Sequence, residues 1–117
     1  VRDRVKVKPR SLRILVDAMY ADVQGTEGTG RKAAVPGLNI CAKTGTAQVQ
    51  DSANRLIGHN YWFASFAPYE NPRYVVVALI QSPTLGGSGG DNCAPIAHDV
   101  YQAILAQDPT IRSVNRH

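Results

Sequence analysis

Apolar residues recur along the first fifth of the chain at helical spacing. Leu12, Leu15, Val16, Met19 and Val23 fall on one face, Pro9 opens the run and Gly25 follows it. This pattern predicts an amphipathic helix from about Pro9 to Gln24, with Met19 and Tyr20 on its core side. Ahead of it, Val5-Lys6-Val7-Lys8 alternates like a very short strand that Pro9 cuts off. Two turn signals follow the helix, the glycine-rich Gly25-Thr26-Glu27-Gly28-Thr29-Gly30 and Pro36-Gly37. The period then changes to two. Leu38 to Val49 reads as a strand, its alternation broken by lysine and glycine, and Asp51 to Asn60 reads as a polar loop. Tyr61 to Ala67 is a strand with Tyr61 and Phe63 on one face and Trp62 and Phe66 on the other. Asn71-Pro72 marks a turn. Tyr74 to Ile80 is apolar on both faces, as in a strand covered on both sides. Gly86-Gly87-Ser88-Gly89-Gly90 reads as a flexible loop. Ile96, Val100 and Ile104, with Ala97 and Leu105, predict a closing amphipathic helix, capped by Asp91 or Asn92 and tolerating Pro95 in its first turn.

The element order is helix, three strands, helix. Short connections make the strands an antiparallel meander. The expected fold class is α+β, a three-stranded antiparallel sheet with an N-terminal and a C-terminal helix packed on it. The interior character of Tyr74 to Ile80 calls for a neighbouring strand that nothing later in the chain supplies. Its partner is expected in sequence outside these residues, and the orphan edge is expected to self-associate.

Composition narrows the class. At 117 residues, 44% hydrophobic and 19% charged, the chain is globular and amounts to one domain or a piece of one. The net charge is +4, with Arg2, Arg4, Lys6, Lys8, Arg10 and Arg13 crowded at the start. No aromatic side chains interleave these cations, so they read as a solvated entry segment and not as a nucleic-acid surface. No stretch of apolar residues is long enough to span a membrane. The chain opens on Val1 with no signal peptide, so a processed or truncated N-terminus is expected, with any membrane anchor upstream. Cys41 and Cys93 match no metal-ligand spacing and read as small buried residues, one disulfide being allowed in an extracytoplasmic setting. His59, His98 and His117 have no carboxylate or cysteine at ligand spacing. His98 is assigned to the helix surface and His59 to the start of the second strand.

The segment that carries chemistry is Cys41-Ala42-Lys43-Thr44-Gly45-Thr46-Ala47-Gln48. A strand edge can bind an extended peptide as an added strand. Glycine at position 45 lets substrate backbone approach, because it carries no Cβ. Thr44 and Thr46 alternate onto one face with hydroxyls able to donate to a carboxylate, and Lys43 adds a positive charge. Two decoys weigh little. Gly86-Gly87-Ser88-Gly89-Gly90 spells a nucleophile-elbow pattern, but four glycines suit a loop better than a strained turn. Ser52-Ala53-Asn54 spells serine-x-asparagine in a polar loop after the lysine strand.

Lys43-Thr44-Gly45-Thr46, preceded by the helix and glycine turn and followed by Trp62-Phe63-Ala64-Ser65-Phe66-Ala67-Pro68, resembles the end of the transpeptidase domain of class B penicillin-binding proteins. Phe66-Ala67-Pro68-Tyr69-Glu70-Asn71-Pro72 and Gly86 to Gly90 followed by Ala94-Pro95-Ile96 resemble the elongation type, penicillin-binding protein 2, more than the division type. The likeness runs from about Ser11 to Ala106. It implies a peptidoglycan D,D-transpeptidase at the extracytoplasmic face of the inner membrane, with stem peptides and β-lactams as ligands and a membrane glycosyltransferase as partner. It implies a substrate-binding role for Lys43, Thr44, Gly45 and Thr46, catalytic roles for Lys43 and the backbone N–H of Thr46 as oxyanion donor, and no metal or organic cofactor. The chain departs from the family in two ways. Ala42 stands where the family usually has glycine. No serine-x-x-lysine occurs: Ser11 is followed three residues on by Ile14, Ser52 by Arg55 and Ser65 by Pro68. The nucleophile is therefore expected elsewhere, and this chain alone is expected to be inactive. A serine β-lactamase or β-lactam sensor shares such a strand, and a non-catalytic interaction module would use the same exposed edges.

Overall fold

A computed structural model of the chain describes residues 1–83 and 87–113. The predicted first helix, α1, spans Pro9–Gln24. Proline is harmless there, because its missing N–H is one of the unsatisfied donors of a first turn. Gly25 closes the helix, its N–H donating to Ala21 O at 2.8 Å. Of the apolar stripe only Val23 is buried; Val16, Met19 and Tyr20 are half-buried, and Leu12 and Leu15 are exposed. The assignment of Met19 and Tyr20 to the core therefore holds only in part. The helix is seated by its C-terminal half, where the Tyr20 and Tyr69 rings lie 4.8 Å apart and Tyr69 OH donates to Asp17 at 2.6 Å. Val5 to Lys8 forms no strand and is exposed. Two alternating pairs gain nothing as β-structure without a partner to complete the ladder.

The sheet comprises β1 (Cys41–Gln50), β2 (Leu56–Ala67) and β3 (Tyr74–Ser82), antiparallel and in the order β1-β2-β3. Strand β1 starts three residues later than expected. The Pro36-Gly37 turn folds Leu38 back onto Val35, with Leu38 N donating to Val35 O at 3.1 Å, and Asn39 O accepts from Tyr69 N at 2.8 Å. Strand β2 starts earlier than expected, because only residues 51–55 turn. Asp51 organises that turn by accepting the N–H groups of Ala53 and Arg55, both at 2.9 Å. The rest of the polar run is hairpin ladder.

The core lies on one face of the sheet. Tyr61, Phe63, Ser65 and Ala67 of β2 are buried there against α3 (Ala94–Gln107). The helix presents Ala94, Ala97, Tyr101 and Leu105, whereas Ile96 and Val100, expected on the buried stripe, are exposed. Small residues let the helix approach bulky β2 side chains, and burying Phe63 alone stabilises by about 2–3 kcal/mol. Ser65 Oγ donates to Val76 O at 2.7 Å and lies 2.8 Å from Tyr101 OH, so Tyr101 supplies the proton of that second bond. Ahead of α3 stands a four-residue helix, α2 (Gly89–Asn92), where a flexible loop was expected; Gly86 of that expected loop lies outside the described residues. Ser88 caps α2, whereas α3 starts after Cys93 with no side-chain cap, so neither Asp91 nor Asn92 caps the closing helix as expected. The opposite face of β3 is open: Val75, Val77 and Leu79 are 76%, 56% and 49% exposed. The interior character read from Tyr74 to Ile80 is thus met on one face only among the described residues.

Both cysteines are buried and unbonded. Burial, then Glu70 and Asp17, pushes the Cys41 thiol from 9.0 to about 12. Burial likewise pushes Tyr101 from 10.0 to about 12, against the Ser65 hydrogen bond. Folded-state values above the ordinary ones mean that the unfolded chain loses these protons first as pH rises. The stability they protect is full below about pH 9 and is lost as pH climbs toward 12. Denaturant unfolding of the chain between pH 8 and 11.5 is expected to show this decline. Tyr101→Phe is expected to lower stability by about 1 kcal/mol at pH 8 and to make the alkaline decline shallower. An equally steep decline in Tyr101→Phe would exclude Tyr101 as its source.

Candidate active site

Lys43-Thr44-Gly45-Thr46 occupies the first half of β1, which pairs with β2 on one side only and leaves its other edge unpaired among the described residues. The register sets Lys43 opposite Ala64, Thr44 opposite Phe63, Gly45 opposite Trp62 and Thr46 opposite Tyr61. Pleating therefore puts Lys43 and Gly45 on the face of Trp62 and Leu79, and Thr44 and Thr46 on the face of Phe63 and Tyr61. Lys43 and Thr46 are exposed, and Thr44 and Gly45 half-buried. The alternation of Thr44 and Thr46 onto one face holds, and the strand sets Lys43 on the other, so cation and hydroxyls meet only at something lying along the free edge. Lys43 Nζ donates to the carbonyl of Thr44.

Two glycines close to this strand have opposite reasons for being glycine. Gly89 of α2 lies against the strand backbone, where an added Cβ would come 2.3 Å from Trp62 O and 2.8 Å from Gly45 O. An added Cβ at Gly45 would meet only Trp62 Cβ, at an ordinary 3.6 Å. Packing among the described residues therefore demands glycine at 89 and not at 45. Sequence reasoning missed α2 altogether, since glycine-rich composition reads as loop.

It also missed a side chain that reaches the strand and the carboxylate behind it. Thr29 Oγ1 lies 2.8 Å from Thr44 Oγ1 and donates to Asp22 Oδ1 at 2.7 Å. Nothing local in the sequence signals a contact between the 25–30 turn and β1. Beside Thr29 opens a cleft of about 720 Å³, of mixed lining that includes Val23, Ala34, Arg31, Lys32, Ser88 and Asp91; no residue of 43–46 lines it. Lys32 lies 2.8 Å from Asp91 and, with the Ser88 hydroxyl, holds the Asp91 carboxyl below its usual range.

The remaining candidates lie apart from the strand site or have other partners. Ser52-Ala53-Asn54 sits at the tip of the β1–β2 hairpin, where Asn54 takes a left-handed φ of 59°. That tip is roughly 23 Å along the strand from Lys43. Ser88 Oγ caps α2 by accepting the Asp91 N–H at 3.1 Å, and donates its own proton to the Asp91 carboxylate at 2.9 Å. His98, expected at the surface, is half-buried with Nδ1 2.9 Å from Ala34 O. His59 lies inside β2 and stacks on Tyr61 with ring centroids 5.7 Å apart. His117 lies outside the described residues. Cys93 donates to Tyr61 O at 3.1 Å, a structural role.

Residues 1–102 match the penicillin binding protein transpeptidase domain. Curated relatives include penicillin-binding protein PbpB of Mycolicibacterium smegmatis, 38% identical over 68% of this chain and 13% of its own length. The peptidoglycan D,D-transpeptidase MrdA of Haemophilus influenzae is 36% identical over 76% of this chain and 15% of its own length. The chain thus spans about one seventh of the length of these relatives. Among solved structures, penicillin binding protein 3 of Mycobacterium tuberculosis complexed with ampicillin superposes with a TM-score of 0.75 at 26% identity, over 93% of this chain and 26% of that one.

The two glycines give a direct comparison of stabilities. Gly89→Ala is expected to destabilise the chain by more than about 2 kcal/mol, because backbone oxygens must move. Gly45→Ala is expected to shift stability by less than about 1 kcal/mol, in the stabilising direction if the lost glycine entropy dominates. Thermal unfolding of both variants checks this. Equal damage at the two positions would mean that Gly45 has an internal packing role.

Proposed function

Because this chain belongs to the penicillin-binding protein transpeptidase domain family, we propose that it supplies the substrate-binding strand of a serine-type peptidoglycan D,D-transpeptidase. The observation that carries this reading is the free edge of β1, with Lys43, Gly45 and Thr46 on it. Transpeptidase domains of this family are extracytoplasmic cell-wall enzymes. Among the described residues no helix is long and apolar enough to cross a membrane. We place the anchor, and contact with a membrane glycosyltransferase, in other parts of the intact protein, and we place the chain in the C-terminal part of its transpeptidase domain.

In this mechanism the donor stem peptide lies along the β1 edge as an added strand. Its terminal carboxylate takes a proton donor from Thr46 and from Thr44, and Lys43 contributes charge from the other face of the strand. Gly45 leaves room for the substrate backbone, which explains a glycine that internal packing does not need. A serine outside this chain attacks the carbonyl before the terminal D-alanine. The C–N bond breaks, D-alanine leaves with a proton on its nitrogen, and the acyl group stays on the serine. An acceptor amine then attacks the ester, forming the cross-link and restoring the hydroxyl. The N–H of Thr46 stabilises the oxyanion in both steps, a donor worth about 3–4 kcal/mol. Penicillins occupy the same edge as substrate mimics.

In an intact transpeptidase carrying this segment, Lys43→Ala is expected to lose most labelling by a fluorescent penicillin, and Thr46→Val to lower its rate by 10-fold or more. Gly45→Ala is expected to lose labelling while keeping its fold. The chain alone is expected to take no label. Undiminished labelling of Lys43→Ala would remove this function.

The open side of β3 carries a separate expectation. With its outer edge unpaired among the described residues and Val75, Val77 and Leu79 exposed, the chain in isolation is expected to self-associate. Light scattering over a concentration series should show growth in mass that Val77→Lys reduces. A clean monomer at high concentration would count against it.

A further inference from the structure

Three side chains from separate parts of the sequence form one line of hydrogen bonds ending at the site strand. Asp22, near the C-terminus of α1, accepts the Thr29 N–H at 3.0 Å and the Thr29 hydroxyl at 2.7 Å, both on Oδ1. Thr29 Oγ1 in turn lies 2.8 Å from Thr44 Oγ1. A threonine hydroxyl has a single proton, and a carboxylate only accepts. The Thr29 proton is committed to Asp22, so Thr44 supplies the proton between the two hydroxyls. Donation runs from Thr44 to Thr29 to Asp22 and terminates on a charge, where hydrogen bonds are stronger. The turn is built tightly around this residue. Gly30 N donates to Asp22 O at 3.0 Å, and a Cβ on Gly28 would come 1.9 Å from that same oxygen.

We propose that Asp22 and Thr29 are positioning residues for the Lys43–Thr46 strand, acting through Thr44. In the unliganded protein they hold the Thr44 side chain in one rotamer by its proton. When a ligand carboxylate reaches the free edge, the Thr44 proton swings from Thr29 to the ligand by rotation about the Cβ–Oγ bond, with no covalent bond made or broken. The ligand thereby meets a side chain that is already placed and is spared the cost of ordering it. This inference rests on the transpeptidase reading above and deepens it.

The test is a double-mutant cycle in an intact transpeptidase carrying this segment. Acylation rates are measured for a penicillin and for its methyl ester, which lacks the carboxylate, in wild type, Thr29→Val, Thr29→Ser, Thr44→Val and Thr29→Val/Thr44→Val. The penicillin-to-ester rate ratio is expected to fall about tenfold in Thr29→Val and to recover in Thr29→Ser. In the Thr44→Val background, Thr29→Val is expected to cost nothing further. Additive losses, an unchanged ratio, or equal losses for both ligands, as general damage to the fold would give, overturn the proposal. Should Thr29→Val fail to fold, Asp22→Asn decides in its place, since its shape is preserved: a ligand-selective loss supports the proposal and an unselective one overturns it. Lys43→Ala separates the two levels. If it labels like wild type, the transpeptidase reading itself fails. If it is dead while the Thr29/Thr44 cycle is additive, only the positioning role fails.

Discussion

Strand β2 is hydrogen-bonded along both sides, and this leaves β1 and β3 each without a second strand beside it among the described residues. Open sheet edges of this kind recruit other chains. The two edges of this sheet present different chemistry for that purpose. Strand β3 carries no charge and turns Val75, Val77 and Leu79 outward, which suits protein against protein. Strand β1 carries Lys43 with threonines at 44 and 46. A lysine on an edge discourages another sheet from zipping onto it, yet it suits a peptide that ends in a negative charge.

Much of this was legible in the chain itself, where local chemistry and tertiary packing point the same way. Proline at the start and glycine at the end bracketed α1 because termination is a local event. The core of β2 showed in the alternation of Tyr61 and Phe63. What escaped was decided at a distance. Leu56 to Asn60 joins the ladder through backbone bonds, although its side chains give no alternating apolar signal. The buried row of α3 is Ala94, Ala97, Tyr101 and Leu105, and a competing row through Ile96 and Val100 is just as apolar; only the bulk of the opposing strand chooses between them. The glycines of α2 read as loop, but each stands where a Cβ would strike backbone, Gly89 against Trp62 and Gly45, and Gly90 against Thr29.

The candidate site divides in the same way. Lys43 through Thr46 could be read as a unit because their chemistry is consecutive. The partition of that unit between two faces follows from the alternation of a strand, but the link from Thr44 to Asp22 could be read only from the folded chain, in which residues 22 and 44 meet through residue 29.

That partition limits what the site can accept. A compact anion resting on one face of the sheet would meet Lys43 or the threonine hydroxyls, but not both. An extended chain end lying in the plane of the sheet, beside β1, borders both faces at once, so groups it projects above and below that plane can meet both sets. Its backbone would meet the open edge of β1, and Gly45 would leave that approach clear. Under the transpeptidase reading, selectivity for a peptide carboxy-terminus therefore comes from edge geometry. Moving Lys43 by a single residue would keep its charge near the site and still defeat it, because the cation would then fall on the same face as the hydroxyls.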